Sequence, residues 1–401
     1  MINLYLLLFT PIKHFVKIYK ELRWIKLKLI KLEDDKKIDI LNKINDYKNP
    51  TTIYIPKDNS DYEIGDYIYK NTYINDYICS VSGYINGIEK KVINNKLIDC
   101  YVIENDFKEN TKIKGKKQNI KNKDELITLL SNFKLNKLKE KIENVENITN
   151  LIVTSIDEEN CFVNEFIRLS SNYLEVLDTI DFICDILKIK NITLATKNTN
   201  AKSIRKVKSI LGTYPNIDFI LVPDKYLIGN KEYICEYLNK DISATLVLTT
   251  ADVFDIYNVI YKGKRKTEKL ITISGDVLAK SKIINIRLNT LLTEIVAEYI
   301  KFTDKDYNIF INGFLGGDQV DSVENIVVTQ NIDSIIFIKK NNVTTECINC
   351  GACNKICPNN INVKKYFEEE TNSNKCIGCG LCNYICPANI NLKKVVKGEK
   401  L

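Results

Sequence analysis

Histidine is almost absent from this chain: His14 is the one imidazole in 401 residues. Histidine therefore supplies neither a metal cluster nor a conventional nucleophile triad. Glycine-rich phosphate loops are missing too, with no G-x-G-x-x-G and no Walker sequence in the part that alternates strands and helices. No apolar run is long enough to cross a bilayer; Leu4 to Phe9 is short and is stopped by Pro11. That run also lacks the positive leader and small-residue cleavage site of a signal peptide. Charge is not gathered into blocks. The net charge is +7 and the pI about 8.6, but the lysines are spread along the chain, partly reflecting nucleotide bias, so no nucleic-acid footprint emerges. With 45% hydrophobic and 27% charged residues, the composition is that of a globular protein, and its length fits two or three domains.

Cysteine is what the chain does have. Eight of its thirteen cysteines fall in one internal repeat near the C-terminus. From Cys347 the sequence reads Cys-Ile-Asn-Cys-Gly-Ala-Cys-Asn-Lys-Ile-Cys-Pro, and from Cys376 Cys-Ile-Gly-Cys-Gly-Leu-Cys-Asn-Tyr-Ile-Cys-Pro. Each is C-x2-C-x2-C-x3-C-P, the spacing of two-cluster ferredoxins. A 4Fe–4S cube takes one thiolate per iron, and cysteines at i, i+3 and i+6 can wrap it. Gly351 and Gly380 lie inside these loops, where the backbone must come close to the cube and positive φ is useful. In that class the fourth cysteine, followed by Pro358 or Pro387, ligates the other cube. The assignment is then Cys347, Cys350, Cys353 and Cys386 for one cluster, and Cys376, Cys379, Cys382 and Cys357 for the other. Zinc sites commonly use two separated C-x2-C pairs, and disulfides belong to oxidising compartments, so both fit this pattern less well. Cys79, Cys100, Cys161, Cys184 and Cys235 are scattered and read as small buried apolar residues.

In chain order, residues 1–50 form a basic N-terminal segment. Its stretch from 12 to 45 reads as a surface element with solvated lysines, a membrane-surface helix being the alternative. Residues 51–110 read as β. Gly65-Asp66-Tyr67-Ile68 followed by Ser80-Val81-Ser82-Gly83-Tyr84-Ile85 resembles a biotinyl/lipoyl-type barrel-sandwich hybrid. Asn75-Asp76 stands where a carrier would present its modified lysine, so the module reads as structural. Residues 111–148 hold a linker and a helix over Asp124 to Ile142. Residues 149–265 alternate strands and helices, which points to a parallel sheet with covering helices. Asp157, Glu158 and Glu159 follow its first strand and read as a solvated loop. Residues 266–340 return to β, with a glycine-rich bend at Gly313-Phe314-Leu315-Gly316-Gly317. Residues 341–401 carry the clusters.

This order of parts resembles the C subunit of the Rnf electron-transport complex, whose α/β part is similar to the NADH-binding flavoprotein subunit of respiratory complex I. The resemblance covers most of the chain from about residue 50. It rests on the second cysteine run with Pro-Ala-Asn-Ile after it, on Thr272-Ile273-Ser274-Gly275 for the family's V-T-V-S-G, on Asn312 to Gly317 for G-G-P-M-M-G, and on Lys225-Tyr226-Leu227-Ile228-Gly229 for K-Y-P-Q-G. It implies an α/β plus β architecture: a barrel-sandwich hybrid module, a parallel α/β layer, a β-grasp-like segment over 266–340 and a C-terminal two-cluster ferredoxin-like domain. It also implies FMN and NADH as cofactors. Here, however, Asn132-Phe133-Lys134-Leu135-Asn136 replaces the family's glycine-rich flavin loop, and Asp157 to Phe162 stands for A-E-C-E-P-Y. Without the glycines a bulky loop should fill or close that space.

The expected function is electron transfer through two 4Fe–4S clusters, linking ferredoxin and NAD redox to membrane partners. Partners are the other subunits of such a complex or a soluble carrier such as ferredoxin, and the place is cytoplasmic, on the inner face of the cell membrane. The alternative is a soluble iron–sulfur adaptor, or a cobalamin-reductase-like protein, with a non-catalytic α/β scaffold.

Overall fold

The computed structural model describes residues 44–398 apart from 59, 160, 201–203 and 341–343. The segment up to residue 43, with its short apolar run and His14, lies outside the described residues.

The α/β layer is built on β8 (Asn150–Ser155), β9 (Asn191–Lys197), β10 (Ile217–Val222) and β11 (Thr245–Thr249), all parallel in the order β10-β9-β8-β11. All six residues of β8 are buried, as a central strand covered on both faces must be. One face packs Leu151, Val153, Leu194 and Leu248 against the helices Tyr173–Leu187 and Thr250–Lys262, through Val176, Ile180, Val253 and Ile256. Each such aliphatic side chain contributes about 1.5–3 kcal/mol on burial. The other face buries Ile152, Ala195 and Val222 under Ile234 and Cys235 of the helix Lys231–Tyr237. The chain runs from β8 outward to β10 and returns to β11 on the far side of β8, so a topological switch point lies at the carboxyl ends of β8 and β11.

A mixed sheet of six strands lies beside this layer. It consists of β1 (Ile44–Tyr47), β13 (Lys282–Arg287), β12 (Glu268–Gly275), β16 (Ser334–Lys339), β14 (Tyr307–Ile311) and β15 (Asp318–Val320), in that order. The helix Leu292–Tyr299 covers one face through Leu292 and Ile295, against Ile271, Ile284 and Phe337. Its edge strand β1 comes from the stretch that reads as basic N-terminal segment; it pairs in parallel with β13. Strand β14 gives little sequence signal beyond the alternation of Ile309 and Ile311. Within this β segment Ile326 to Val328 makes only isolated bridges, Ile326 to Val92 and Val327 to Leu291.

The N-terminal β module has an antiparallel sheet of β2 (Thr52–Pro56), β7 (Lys96–Asn105), β6 (Gly83–Ile93) and β3 (Tyr67–Ile68), ordered β2-β7-β6-β3. A separate hairpin of β4 (Tyr73–Ile74) and β5 (Tyr77–Ile78) turns at Asn75-Asp76. Ile53, Ile55, Ile68, Ile74, Val81 and Ile103 fill its core. It is fastened to the six-stranded sheet through Asn289, which donates from Nδ2 to the Ile78 carbonyl at 2.8 Å and accepts from the Tyr54 amide at 2.8 Å.

Two helical stretches are each broken, the first of them the helix expected over Asp124 to Ile142. Asp124 to Ile142 divides into Lys123–Asn132 and Asn136–Glu143, because Lys134 adopts a left-handed conformation with φ 54°. The stretch from Val163 to Leu187 divides into Asn164–Ser171 and Tyr173–Leu187 at Asn172. Among the described residues no helix is long and apolar enough to cross a membrane.

Candidate metal centre

The two cysteine runs fold as a pseudo-repeat. In each, the third cysteine lies in a one-turn helix, Ala352–Ile356 or Leu381–Ile385. The fourth cysteine is extended, at φ −63° for Cys357 and φ −72° for Cys386, as a residue before proline prefers. A second helix follows in each run, Val363–Glu368 or Leu392–Lys397, N-capped by Asn362 or Asn391. The repeat extends past the cysteines. Asn354 donates to Asn362 Oδ1 at 2.8 Å and accepts from the Lys364 amide; Asn383 donates to Asn391 Oδ1 at 2.8 Å and accepts from the Lys393 amide. The signal for these bracing asparagines is present in both runs as C-N-x-I-C-P-x-N-I-N-x-K-K.

Four thiols converge on one cavity: Cys347, Cys350 and Cys353 of the first run line it together with Cys386 of the second, backed by Phe367 and Ile390. Reciprocally, Cys357 of the first run lies among the thiols of the second. Burial first, and the neighbouring thiols of Cys357 and Cys376 after it, push Cys379 and Cys382 up to about 12. Thiolates there require a bound cation. Among the described residues no three His, Cys, Asp or Glu side chains sit close enough to share a single ion. The two groups differ in exposure. Cys347 and Cys350 are exposed, and Ile348 between them is 64% exposed, whereas Cys376 and Cys379 are half-buried, with Ile377 between them 44% exposed. Tyr226 donates its hydroxyl to the Cys379 carbonyl at 2.7 Å, and Ile356 and Leu381 pack on the same tyrosine. Lys393, 4% exposed, donates to the carbonyls of Gly316 (3.1 Å) and Gly317.

The switch-point crevice holds this chain's own carboxylates. Asp157 and Glu159 are buried, not solvated as their sequence suggests. Asp157 accepts from the amides of Glu165 and Phe166 at 3.0 and 3.2 Å, at the start of the helix Asn164–Ser171. Glu165 in turn accepts from the Thr250 hydroxyl at 2.7 Å and the Ala251 amide at 2.9 Å, at the start of the helix Thr250–Lys262. Burial raises Asp157 to about 6 and Glu165 to about 7. Glu159 reaches the glycine-rich turn, where the amides of Phe314, Leu315 and Gly316 donate to it at 2.8, 3.0 and 2.8 Å. That turn is thus a nest of N–H groups and more than a bend.

The loop around Lys134 does not close the crevice. A cleft of about 500 Å³ remains, lined by Leu135 to Leu138, Glu165, Arg168, Ala251, Lys266 and Lys269. Its cations are engaged: Lys134 with Asp76, Lys141 with Asp252, Lys266 with Asp255, Lys269 with Asp333, Lys137 with Asn331 and Arg168 with Asn172. A flavin or nicotinamide phosphate would need free amides or cations here. The amides of both helix starts already serve Asp157 and Glu165, so the residues present do not fit such a group. Of the scattered cysteines, Cys79, Cys100, Cys184 and Cys235 are buried; Cys161 is partly exposed and its thiol donates to Glu159 at 3.4 Å.

Comparison with known proteins locates this chain. Residues 327–390 match the family described as a 4Fe-4S dicluster domain. The C subunit of the ion-translocating oxidoreductase complex of Buchnera aphidicola subsp. Baizongia pistaciae is 25% identical over 228 residues, 53% of this chain and 45% of that protein. The C subunit of the proton-translocating ferredoxin:NAD(+) oxidoreductase complex of Clostridium ljungdahlii is 22% identical over 226 residues, 53% of this chain and 49% of that protein. The chain spans about half the length of these curated relatives. A solved NAD+-reducing [NiFe]-hydrogenase chain in the air-oxidized state aligns with a TM-score of 0.44 at 10% identity, covering 62% of this chain and 50% of its own. The chain therefore carries a segment of the 4Fe-4S dicluster kind and is a relative, over about half its length, of proteins named as the C subunit of Rnf-type ion-translocating oxidoreductases.

Proposed function

We propose that this protein is a divergent Rnf-type C subunit that relays single electrons through two 4Fe–4S clusters to partner subunits, with those clusters as its only redox chemistry. The observation that carries the reading is the cavity shared by Cys347, Cys350, Cys353 and Cys386, which joins the fourth cysteine of one run to the first three of the other. Cys376, Cys379, Cys382 and Cys357 form the second ligand set. Bound there, the clusters supply one-electron carriage.

The chain's own residues give this relay an outside and an inside. Exposed Cys347, Ile348 and Cys350 put the first set at the surface, open to the approach of a ferredoxin or another protein of the complex. Tyr226 and Lys393 hold the second set against the body of the protein. The barrel-sandwich-type β module and the α/β layer serve as a scaffold. With its helix starts taken by Asp157 and Glu165, the α/β layer holds neither FMN nor NADH. The soluble adaptor reading shares this scaffold and differs in the partner; docking on the inner face of a membrane complex is the reading we favour, because the curated relatives are named as subunits of ion-translocating complexes.

Anaerobic purification with iron, sulfide and flavin counts tests this. About eight irons and eight sulfides per chain are expected, with no flavin; zinc alone would sink the assignment. Replacing Cys386 by alanine should damage the cluster of Cys347, Cys350 and Cys353. Loss confined to the cluster of Cys376, Cys379 and Cys382 would reject the crossed ligation. Co-sedimentation with membranes separates the membrane-complex reading from the adaptor.

A further inference from the structure

Glu159 belongs to the α/β layer, yet its carboxylate is spent on another part of the molecule. It lies 7% exposed in the nest of the 313–317 turn, taking three backbone N–H donors there and the Cys161 thiol at 3.4 Å. Gly313 allows this approach, because a side chain at that position would collide with the Glu159 carboxylate, and its φ is +116°. The other side of the same turn faces the second cysteine run. The Leu315 carbonyl abuts Gly380, which sits at φ +71°, and Lys393 clamps the carbonyls of Gly316 and Gly317. Tyr226, whose hydroxyl would lie 3.4 Å from a Cβ on Gly316, bonds the Cys379 carbonyl. The turn is therefore a plate fixed by a buried negative charge behind and carrying the backbone of Cys379 and Gly380 in front.

We propose that Glu159 is a positioning residue for the inner cluster, acting through the 313–317 turn to set the placement and reduction equilibrium of the group held by Cys376, Cys379, Cys382 and Cys357. The inference rests on the two-cluster reading above. Hydrogen bonding and fixed charge around cluster sulfurs tune such equilibria. Glu159 acts at one remove from the sulfurs, orienting the turn that packs on the cysteine loop and placing a charge one layer behind it. Cys347 and Cys350 face solvent instead, so the effect is expected at one cluster.

The test is a redox titration, followed by electron paramagnetic resonance, of the anaerobically reconstituted full chain in wild-type, E159Q and E159D forms. The two clusters are told apart in a Cys350→Ser background. E159Q keeps the side chain's size and removes its charge. It is expected to retain full iron and to favour reduction of the inner cluster by roughly tenfold, about 59 mV for one electron, with the outer cluster unmoved. E159D keeps the charge one methylene further away and should shift the same cluster less. Iron lost from the inner cluster alone in E159Q and recovered in E159D would support the assignment equally. Full iron with neither cluster moved, equal movement of both, or loss of both clusters from both variants would overturn it. A wild-type chain that binds no iron would instead refute the two-cluster reading.

Discussion

Gly351 and Gly380 occupy the same position in the two cysteine runs, and they should not respond alike to alanine. Both adopt left-handed backbone, at φ 66° and 71°. In that region an L side chain costs about 1–2 kcal/mol, so each Gly→Ala change carries that cost. The surroundings differ. A Cβ on Gly351 meets nothing within 4 Å, whereas on Gly380 it would run into the carbonyl of Leu315, with Leu315 Cα only 3.1 Å away. The obstacle is backbone of a turn already held by Glu159 and Lys393, so it cannot swing aside as a side chain would. Forcing extra volume into a packed site costs about 1–3 kcal/mol. G380A should therefore destabilise by about 2–5 kcal/mol and G351A by about 1–2 kcal/mol. At a urea dependence of about 1–3 kcal/mol per molar, a 2 kcal/mol gap moves the midpoint by roughly 1 M. Circular dichroism of the full chain under anaerobic urea titration measures it. Equal midpoints for the two variants would show that the 313–317 turn does not bear on the second cysteine run, and would remove the support for Glu159 as well.

The buried carboxylates predict a pH dependence. Glu165 is raised to about 7 and Asp157 to about 6 by burial, so between their unfolded values and these the folded state binds more protons, and stability falls as pH rises. E165Q removes the larger contribution; its thermal midpoint should exceed wild type at pH 8, by up to about 3 kcal/mol in stability, and approach it near pH 5. A gap independent of pH would refute the burial argument. The crevice itself is checked by adding FMN or NADH to the purified chain: a ligand at one hundred times its dissociation constant would add about 2.7 kcal/mol, and the expectation is no change in midpoint with either. A clear upward shift would mean that the self-capped helix starts still accept a phosphate.

Much of the architecture was legible because local chemistry and tertiary structure agree. The fully buried run Asn150–Ser155 and the apolar, β-branched stretch Ile217–Val222 read directly as strands of a parallel sheet. The cysteine spacing by itself marks the cluster loops. What the sequence hid was the destination of the acidic residues. Asp157, Glu158 and Glu159 look like a solvated loop, since carboxylates are seldom buried without partners. Glu158 is indeed exposed, but Asp157 and Glu159 are buried on backbone amides, which carry no sequence signature. The nest at 313–317 was hidden for the same reason, its glycines being equally compatible with a simple bend. The break at Lys134 escaped helical periodicity because Leu135 and Leu138 continue the apolar pattern across it.

One short segment resolves a demand that the fold itself creates. A parallel sheet ordered β10-β9-β8-β11 brings helix starts to its switch point, and a glycine-rich turn beside it adds a further nest of amides. Each buried N–H left without an acceptor costs about 1–3 kcal/mol. In nucleotide-binding sheets a ligand phosphate can meet that demand. Here residues 157–165 send three carboxylates in three directions: Asp157 to its own following helix, Glu165 to the helix Thr250–Lys262, and Glu159 to the turn beneath the second cysteine run. The carboxylates that cap the helix starts of the crevice and the one that holds the 313–317 turn thus come from the same nine residues. A substitution here that freed an amide for a phosphate would leave the cluster support intact only if it spared Glu159.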